Sequence, residues 1–490
     1  MTDPNATADL ASIRRGLAAL PRADNHAPDA AVAPDQIVVV AGHRAALDPE
    51  RALVVGNRGM GKSFWAHALA NTAAREKAAG TFHELGSVGG QIGFNASDRR
   101  HAIAPTPAAL REVVRTGADA DAVWRAVLVR WVMSEMPGDP SIPSTSGEFK
   151  EAVGWVQSNS GDVDALLTSF DDRCVRDGKR LVLVFDALDR LADDWKTTRL
   201  LTTALLKRAL AVRSYRALRL KLFMRRDQFE DPQLFAFPDG SKIRNTRVDL
   251  TWSSSDLYTL LFDRLSQSSE SSHALVRLRE RVNTLQGQQA IAGEFAGDRI
   301  KPLVDAIAGE YMGADKKRGR VYTWLPLHLA DARGETSPRT FLTAWREAAH
   351  HGPAPVDRAV DHLGLIEGVR RASEDRLQEL QEDYWWIPTA LRPLRDQMVP
   401  MELDLLKDLW RSSKTEDTIR EDSRLKGLAP IQLEEDTGQA HPPLVTALSA
   451  IGVIEIRSNG KINVPDIFRV EARIRRKGGV KPPKRAPAAR

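Results

Sequence analysis

The chain has 490 residues, 70 basic and 65 acidic side chains and one cysteine, Cys174, which suits a reducing compartment and excludes an intrachain disulfide and a cysteine-cluster metal site. That length predicts two or three domains with ample core, and a net charge of +5 gives the whole chain no polyelectrolyte character. No apolar run approaches the ~18 residues of a membrane helix, and the N-terminus lacks the basic start and apolar core of a signal peptide, so a cytoplasmic protein without a membrane partner is expected.

Leu10, Ile13, Leu17 and Leu20 recur at helical spacing and predict a short amphipathic helix. The Pro-, Ala- and Asp-rich stretch up to residue 35 reads as a linker. Gln36-Ile37-Val38-Val39-Val40 is an expected strand, followed by Ala41-Gly42-His43-Arg44. The next run carries the strongest signal. Gly56-x-x-x-x-Gly61-Lys62-Ser63 stands between the apolar Ala52-Leu53-Val54-Val55 and a helical pattern from Ser63 to Ala70. Strand, glycine loop and helix are the context that a phosphate-binding loop requires. Gly56, Gly59 and Gly61 let the backbone take positive φ and approach an anion. The amides of the loop and of the helix N-terminus then face phosphate oxygens. The candidate nucleotide-binding residues are Gly56, Asn57, Arg58, Gly59, Met60, Gly61, Lys62 and Ser63. In such a loop the lysine bridges the β- and γ-phosphates and the serine hydroxyl goes to Mg2+. The plain alternative is a glycine turn before an ordinary helix. Gly42-x-Arg44, just upstream, suits contact with a nucleotide base as in related ATPases, or an edge strand and turn.

Residues 71–170 read as mostly helical with turns. Ser87-Val88-Gly89-Gly90-Gln91 is similar to the ABC-transporter signature. That signature belongs shortly before the second acidic motif, which here lies about a hundred residues further on, so the match is rejected. The acidic motif is Arg180-Leu-Val-Leu-Val-Phe-Asp186-Ala187-Leu188-Asp189. An unbroken apolar run predicts a strand buried on both faces of a parallel sheet. A carboxylate at its C-terminal end sits where such sheets bind ligands. Asp186 is therefore the candidate partner of Mg2+, with Ser63, and Asp189 the residue that orients or deprotonates an attacking water. A helix cap is the alternative for Asp189. Leu218 to Met224 reads as a further strand, ending in Arg225, Arg226 and Asp227. Arg225 is the candidate contact to a γ-phosphate, with Arg226 in reserve and an ion pair to Asp227 as the alternative.

Beyond residue 250 the period changes to helical. Ser254 or Ser255 caps a helix carrying Leu257, Leu260, Leu261 and Leu265. Ser337-Pro338-Arg339 opens another, with Pro at the first helical position, and Arg339 is either a nucleotide contact or a surface residue. Leu403, Leu406, Leu409 and Trp410 mark the start of a small helical module. It ends in an expected hairpin across Ser458-Asn459-Gly460, a strong turn signal. Residues 469–490 are basic, which suits a phosphate backbone or a solvated tail.

Gly56 to Ser63 resembles a Walker A motif, and Leu181 to Asp186 a Walker B strand. Asp189 resembles the second acidic position, and Arg225 the sensor arginine, of STAND ATPases, which are related to the AAA+ class. A helical lid with Ser337-Pro338-Arg339, followed by a winged helix, resembles STAND proteins and origin-recognition-type AAA+ ATPases alike. The resemblance implies an α/β fold: a P-loop NTPase core with a parallel sheet flanked by helices, a helical lid and a C-terminal winged helix. The implied domains are an N-terminal helix and linker (1–35), the ATPase core (36–250), the lid (251–350), a helical linker (351–400), a winged-helix-like domain (401–468) and a basic tail (469–490). It implies ATP and Mg2+ as ligands, and Asp189, Arg225 and Arg339 as catalytic residues. Two departures stand out. Ala187 replaces the glutamate that usually follows the Walker B aspartate, and Arg190 replaces a frequent second acid. Slow hydrolysis is therefore expected, and no arginine finger is assigned.

The leading expectation is a nucleotide-dependent switch with slow ATPase activity, acting through a protein partner or self-assembly; family analogy adds bacterial signalling or phage defence. The alternative is an AAA+-like ATPase that loads on duplex DNA through residues 401–490. The absence of an Asn-Lys-x-Asp motif disfavours GTP. The large lid and added module are excessive for a nucleoside kinase, and no set of helicase motifs accompanies the loop.

Overall fold

The computed structural model describes residues 4–21, 32–136, 141–285, 299–434 and 440–478. The chain divides into two compact units, residues 26–57 with 61–251 and residues 1–25 with 58–60 and 252–490. The first is built on five strands: β1 (Leu53–Gly56), β2 (Val88–Phe94), β3 (Arg180–Phe185), β4 (Leu218–Arg225) and β5 (Val248–Asp249). All pair in parallel, in the order β2-β3-β4-β1-β5. Val182 to Phe185 are buried, as a strand covered on both faces requires. The order inserts β4 between β1 and β3. Gly56 then stands opposite Arg225, and Phe185 opposite Leu222. The C-terminal ends of β1, β4 and β3 thus lie side by side.

The helix Ala120–Glu135 is apolar on nearly every side and is buried along most of its length. Trp124 anchors it. Its ring meets Phe94 and Phe185 edge-on at 6.4 and 5.6 Å, and its Nε1 donates to the Leu201 carbonyl at 2.8 Å.

Two stretches differ from the sequence reading. Gln36 to Val40 is no strand. A short 3-10 turn ends at Gln36, and Ile37, Val38 and Val40 are buried without a ladder partner in any described sheet. The apolar run there reports burial, not pairing. Conversely, β2 occupies the segment taken for helix and turn. Its glycines hid it, because glycine argues against a strand interior. Gly90 is there because of close packing. A Cβ on it would lie 2.0 Å from the Leu69 carbonyl oxygen of the helix Lys62–Ala70.

Lys221 is the other surprise. It sits in mid-strand on β4, fully buried, and its Nζ donates to the carbonyls of Asp48 and Arg51 at 2.7 and 2.9 Å. It therefore brackets the turn that enters β1. Burial pushes its ammonium down to about 7. A lysine depressed in this way opposes folding below that pH, where it must be charged inside the protein. The opposition fades as pH rises from about 7 toward the unfolded value near 10.4. Urea unfolding of the wild type and Lys221→Met should diverge in the wild type's favour above pH 7, on the order of 1 kcal/mol per pH unit. A difference that stays constant from pH 6 to 9 would remove this assignment.

The second unit is helical. The helix Pro4–Ala18 packs its Ile13 and Leu17 into the same core as Leu257, Leu261, Phe341, Trp345 and Ile387. That core continues without a break through Leu406, Leu444, Ile462 and Phe468. The helix Ser254–Gln267 is capped one residue earlier than expected, by Ser253, whose side chain accepts from Asp256 N–H. Ser337 caps Pro338–His350, its side chain accepting from Thr340 N–H. β6 (Met398–Val399) pairs in parallel with β9 (Arg475–Arg476), and β7 (Glu455–Ile456) pairs with β8 (Ile462–Asn463) in a hairpin. Gly460 takes positive φ (76°) in its turn. Two backbone bonds between Met401 and Ile462, at 2.9 and 2.8 Å, tie the hairpin to the chain after β6.

Candidate nucleotide-binding site

The loop after β1 turns on two left-handed glycines, Gly59 (φ 82°) and Gly61 (φ 95°). Gly61 is also the N-cap of the helix Lys62–Ala70 and offers no side chain there. The first amides of the helix are left to whatever anion the loop holds. Lys62 curls over the loop, with Nζ donating to the carbonyls of Gly56 and Asn57 at 3.0 and 2.9 Å. Desolvation lowers its ammonium to about 8, against the pull of the Asp186 carboxylate.

Asp186 follows β3 and is buried. Burial raises its carboxyl above the ordinary range, opposed by a hydrogen bond from the Ser63 side chain and by the Lys62 charge. Ser63 and Asp186, far apart in sequence, thus meet at the end of the loop. Asp189 lies in the 3-10 turn Leu188–Arg190. Arg225, at the end of β4, donates to Asp189 at 2.9 Å and pairs with Asp227 at 3.3 Å. Burial, the largest influence, would raise the Asp189 carboxyl, but the Arg225 guanidinium, a backbone hydrogen bond and the Arg190 charge together hold the group below the usual carboxylate range. Arg226 instead pairs with Asp249 at 2.6 Å. The ion-pair alternative for Arg225 is therefore present in the structure, and Asp189 joins Asp227 in it.

A phosphate-binding glycine loop after β1, with β4 inserted between β1 and the acidic strand, makes this unit a P-loop nucleotide-binding fold. No family model matches the chain, and no curated protein does. It is similar to the ORC2 protein of Aeropyrum pernix solved as ADPNP–ADP complexes, at 12% identity over 94% of this chain and 96% of that one, with a TM-score of 0.40. The ADP form of that protein gives 12%, 94%, 95% and 0.31. Cdc6p from Pyrobaculum aerophilum gives 14%, 86%, 84% and 0.26.

Arg58, Gly59 and Met60, at the loop's tip, cluster with the helical unit. There Arg58 pairs with Glu382 at 2.7 Å and with Asp383. Arg339 is in the same unit, and its guanidinium donates to Glu379 at 3.1 Å. Arg44, of the expected base-contacting element, pairs with Glu84 at 2.9 Å. His43, beside it, is fully buried and accepts from Trp65 Nε1 at 3.1 Å.

Sequence reasoning missed two neighbours of Asp186, His67 and Asn95. His67 is one turn along the loop helix from Ser63 and could have been found from that spacing. Asn95 follows β2 and was hidden with it.

Among the basic residues at the C-terminus, Arg469 and Arg476 both pair with Asp466, at 2.7 and 3.0 Å, and Arg475 with Asp396 at 3.4 Å. Lys481, Lys484 and Arg485 lie outside the described residues. No described helix is long and apolar enough to cross a membrane.

Proposed function

We propose that the chain is a nucleotide-dependent conformational switch, a P-loop ATPase that binds ATP with Mg2+ and hydrolyses it slowly. The observation that carries this is the convergence of Lys62, Ser63, Asp186, Asp189 and Arg225 at the adjoining ends of β1, β3 and β4. The Ser63 hydroxyl and Asp186 carboxylate are hard oxygen donors that fit Mg2+. Among the described residues, no cluster of three or more His, Cys, Asp or Glu is arranged for a metal, so further ligands must come from phosphate and water. Bound there, Mg2+ would neutralise phosphate charge and polarise the γ-phosphoryl group.

The chain's own groups do the rest. The loop amides and Lys62 bind the phosphates, with Lys62 exchanging carbonyl partners for anionic ones. Arg225 has two carboxylates as partners, and a γ-phosphate competes for it. When Arg225 turns to phosphate, Asp189 is released to orient the attacking water. A group occupied until the triphosphate arrives, and no acid at Ala187, both favour slow turnover. Arg339, whose guanidinium pairs with Glu379, is proposed as a further phosphate contact. Loss of the γ-phosphate reverses the Arg225 exchange, which is the charge event a switch needs. The signalling or phage-defence setting, with a protein partner or self-assembly, is the proposal that the STAND resemblance brings.

Charge placement favours a second reading in part. Residues 451–490 hold eleven Lys and Arg against three acids. They include the hairpin, whose Arg457 and Lys461 flank its turn, so a winged-helix grip on duplex DNA through hairpin and tail is the alternative. Against it, residues 401–450 hold ten acids and six bases, and the helix Pro443–Ala450 before the hairpin has no Lys or Arg. ATP turnover with and without duplex DNA separates the readings. We expect turnover that is slow and unchanged by DNA. A severalfold rise that disappears on deleting residues 469–490 would favour the DNA reading.

A further inference from the structure

Two side chains beside Asp186 take no part in the steps above. His67 Nδ1 lies 2.7 Å from the Ser63 carbonyl oxygen. A carbonyl only accepts, so Nδ1 carries the proton, and Nε2 of the neutral ring is an acceptor. Nε2 lies 3.4 Å from Nδ2 of Asn95. The Oδ1 of Asn95 accepts the Ser97 N–H at 3.3 Å, which turns the amide nitrogen toward His67. Asn95 and Ser97 are buried, at 7% and 3% exposure.

The backbone supplies an independent observation. Ala96 and Ala187 both have φ in the left-handed region, 54° and 55°. One directly follows Asn95 and the other directly follows Asp186. An alanine there is strained by roughly 1–2 kcal/mol, and such strain persists where the surroundings over-determine it, often at functional sites. Phe94 and Phe185 are register partners, and the Asp186 N–H donates to the Phe94 carbonyl at 2.8 Å. β2 and β3 therefore end in matching turns that set Asn95 and Asp186 next to each other, with His67 brought alongside by its contact to Asn95.

We propose that His67 and Asn95 are a positioning pair for the magnesium-dependent part of nucleotide binding. The imidazole clamps the Ser63 backbone and so aims the Ser63 hydroxyl, while buried Asn95 holds the ring beside Asp186. This rests on the phosphate-loop reading above. Outer-shell partners of this kind orient the groups that touch the ion and strengthen its binding.

The test is fluorescent ATP-analogue binding to the full chain in EDTA and in Mg2+, for the wild type, His67→Ala, Asn95→Leu and the double variant. Asn95→Leu keeps a similar volume, adds no charge and removes the donor that faces Nε2. Each single variant should keep its EDTA affinity and lose about tenfold of the gain that Mg2+ adds. The double variant should lose no more than either single, because the two act as one unit. Variants that keep the magnesium gain within about twofold, or that add their effects independently, overturn the pairing. A variant that also loses EDTA affinity overturns it too, because the residue then supports the loop's fold and not the ion. A wild type that binds no nucleotide at all defeats the phosphate-loop reading itself, and this inference with it.

Discussion

Lys62→Ala should weaken ATP binding by about a hundredfold, the effect of removing a charged hydrogen-bonding partner from a desolvated anion site. The reasoning is local. Lys62 Nζ is held over the loop by the carbonyls of Gly56 and Asn57, so the donor is pre-positioned at the loop that is proposed to take the β- and γ-phosphates. Alanine at the same helical position keeps the helix, because alanine is the best helix former. It also removes a partly buried ammonium, so the fold should be about as stable as the wild type. A normal melting temperature with lost ATP affinity is thus the expected pattern. If Lys62→Ala binds ATP as tightly as the wild type, the glycine loop is only a turn.

The second large effect concerns turnover. Asp189→Asn should leave ATP affinity within a few fold while slowing hydrolysis by about a hundredfold, in the usual range for a lost acid–base or water-orienting group. The amide keeps the shape of the carboxylate but loses the charge that pairs with Arg225 at 2.9 Å. Arg225 still has Asp227 as a partner, and the triphosphate competes with one carboxylate fewer. ATP affinity should therefore rise slightly, not fall. Single-turnover hydrolysis beside equilibrium binding checks both halves. Unchanged turnover would remove Asp189 from its role, and a fall in affinity would show that its charge supports the loop instead.

Most of the candidate site was legible because its signals are local. Gly59 and Gly61 need positive φ, Lys62 and Ser63 follow at the fixed start of a helix, and Leu181 to Phe185 form an apolar run too long to face water. Arg225 was legible as a strand end with Asp227 as an ion-pair partner, but its pairing with Asp189 was not. That depends on β4 being inserted between β1 and β3, a fact of sheet order that no local window carries. β2 was missed for the opposite reason. Gly90 is required by contact with Leu69 in another element, so its own neighbourhood argued against the strand. Lys221 was invisible because a lysine in a strand pattern reads as an exposed position, and only the turn at Asp48 and Arg51 gives it partners. In the helical unit, the start signal Ser337-Pro338 and the spacing of Leu406 and Trp410 predicted helices. They could not predict that one continuous core joins them through Leu444 to Phe468.

The most direct measurement is calorimetric titration of the wild-type chain with a non-hydrolysable ATP analogue, in Mg2+ and in EDTA. The expected result is a single saturable site in the micromolar range or tighter, strengthened by Mg2+. No saturable heat in either condition, from protein that melts cooperatively, would contradict the assignment of a nucleotide switch.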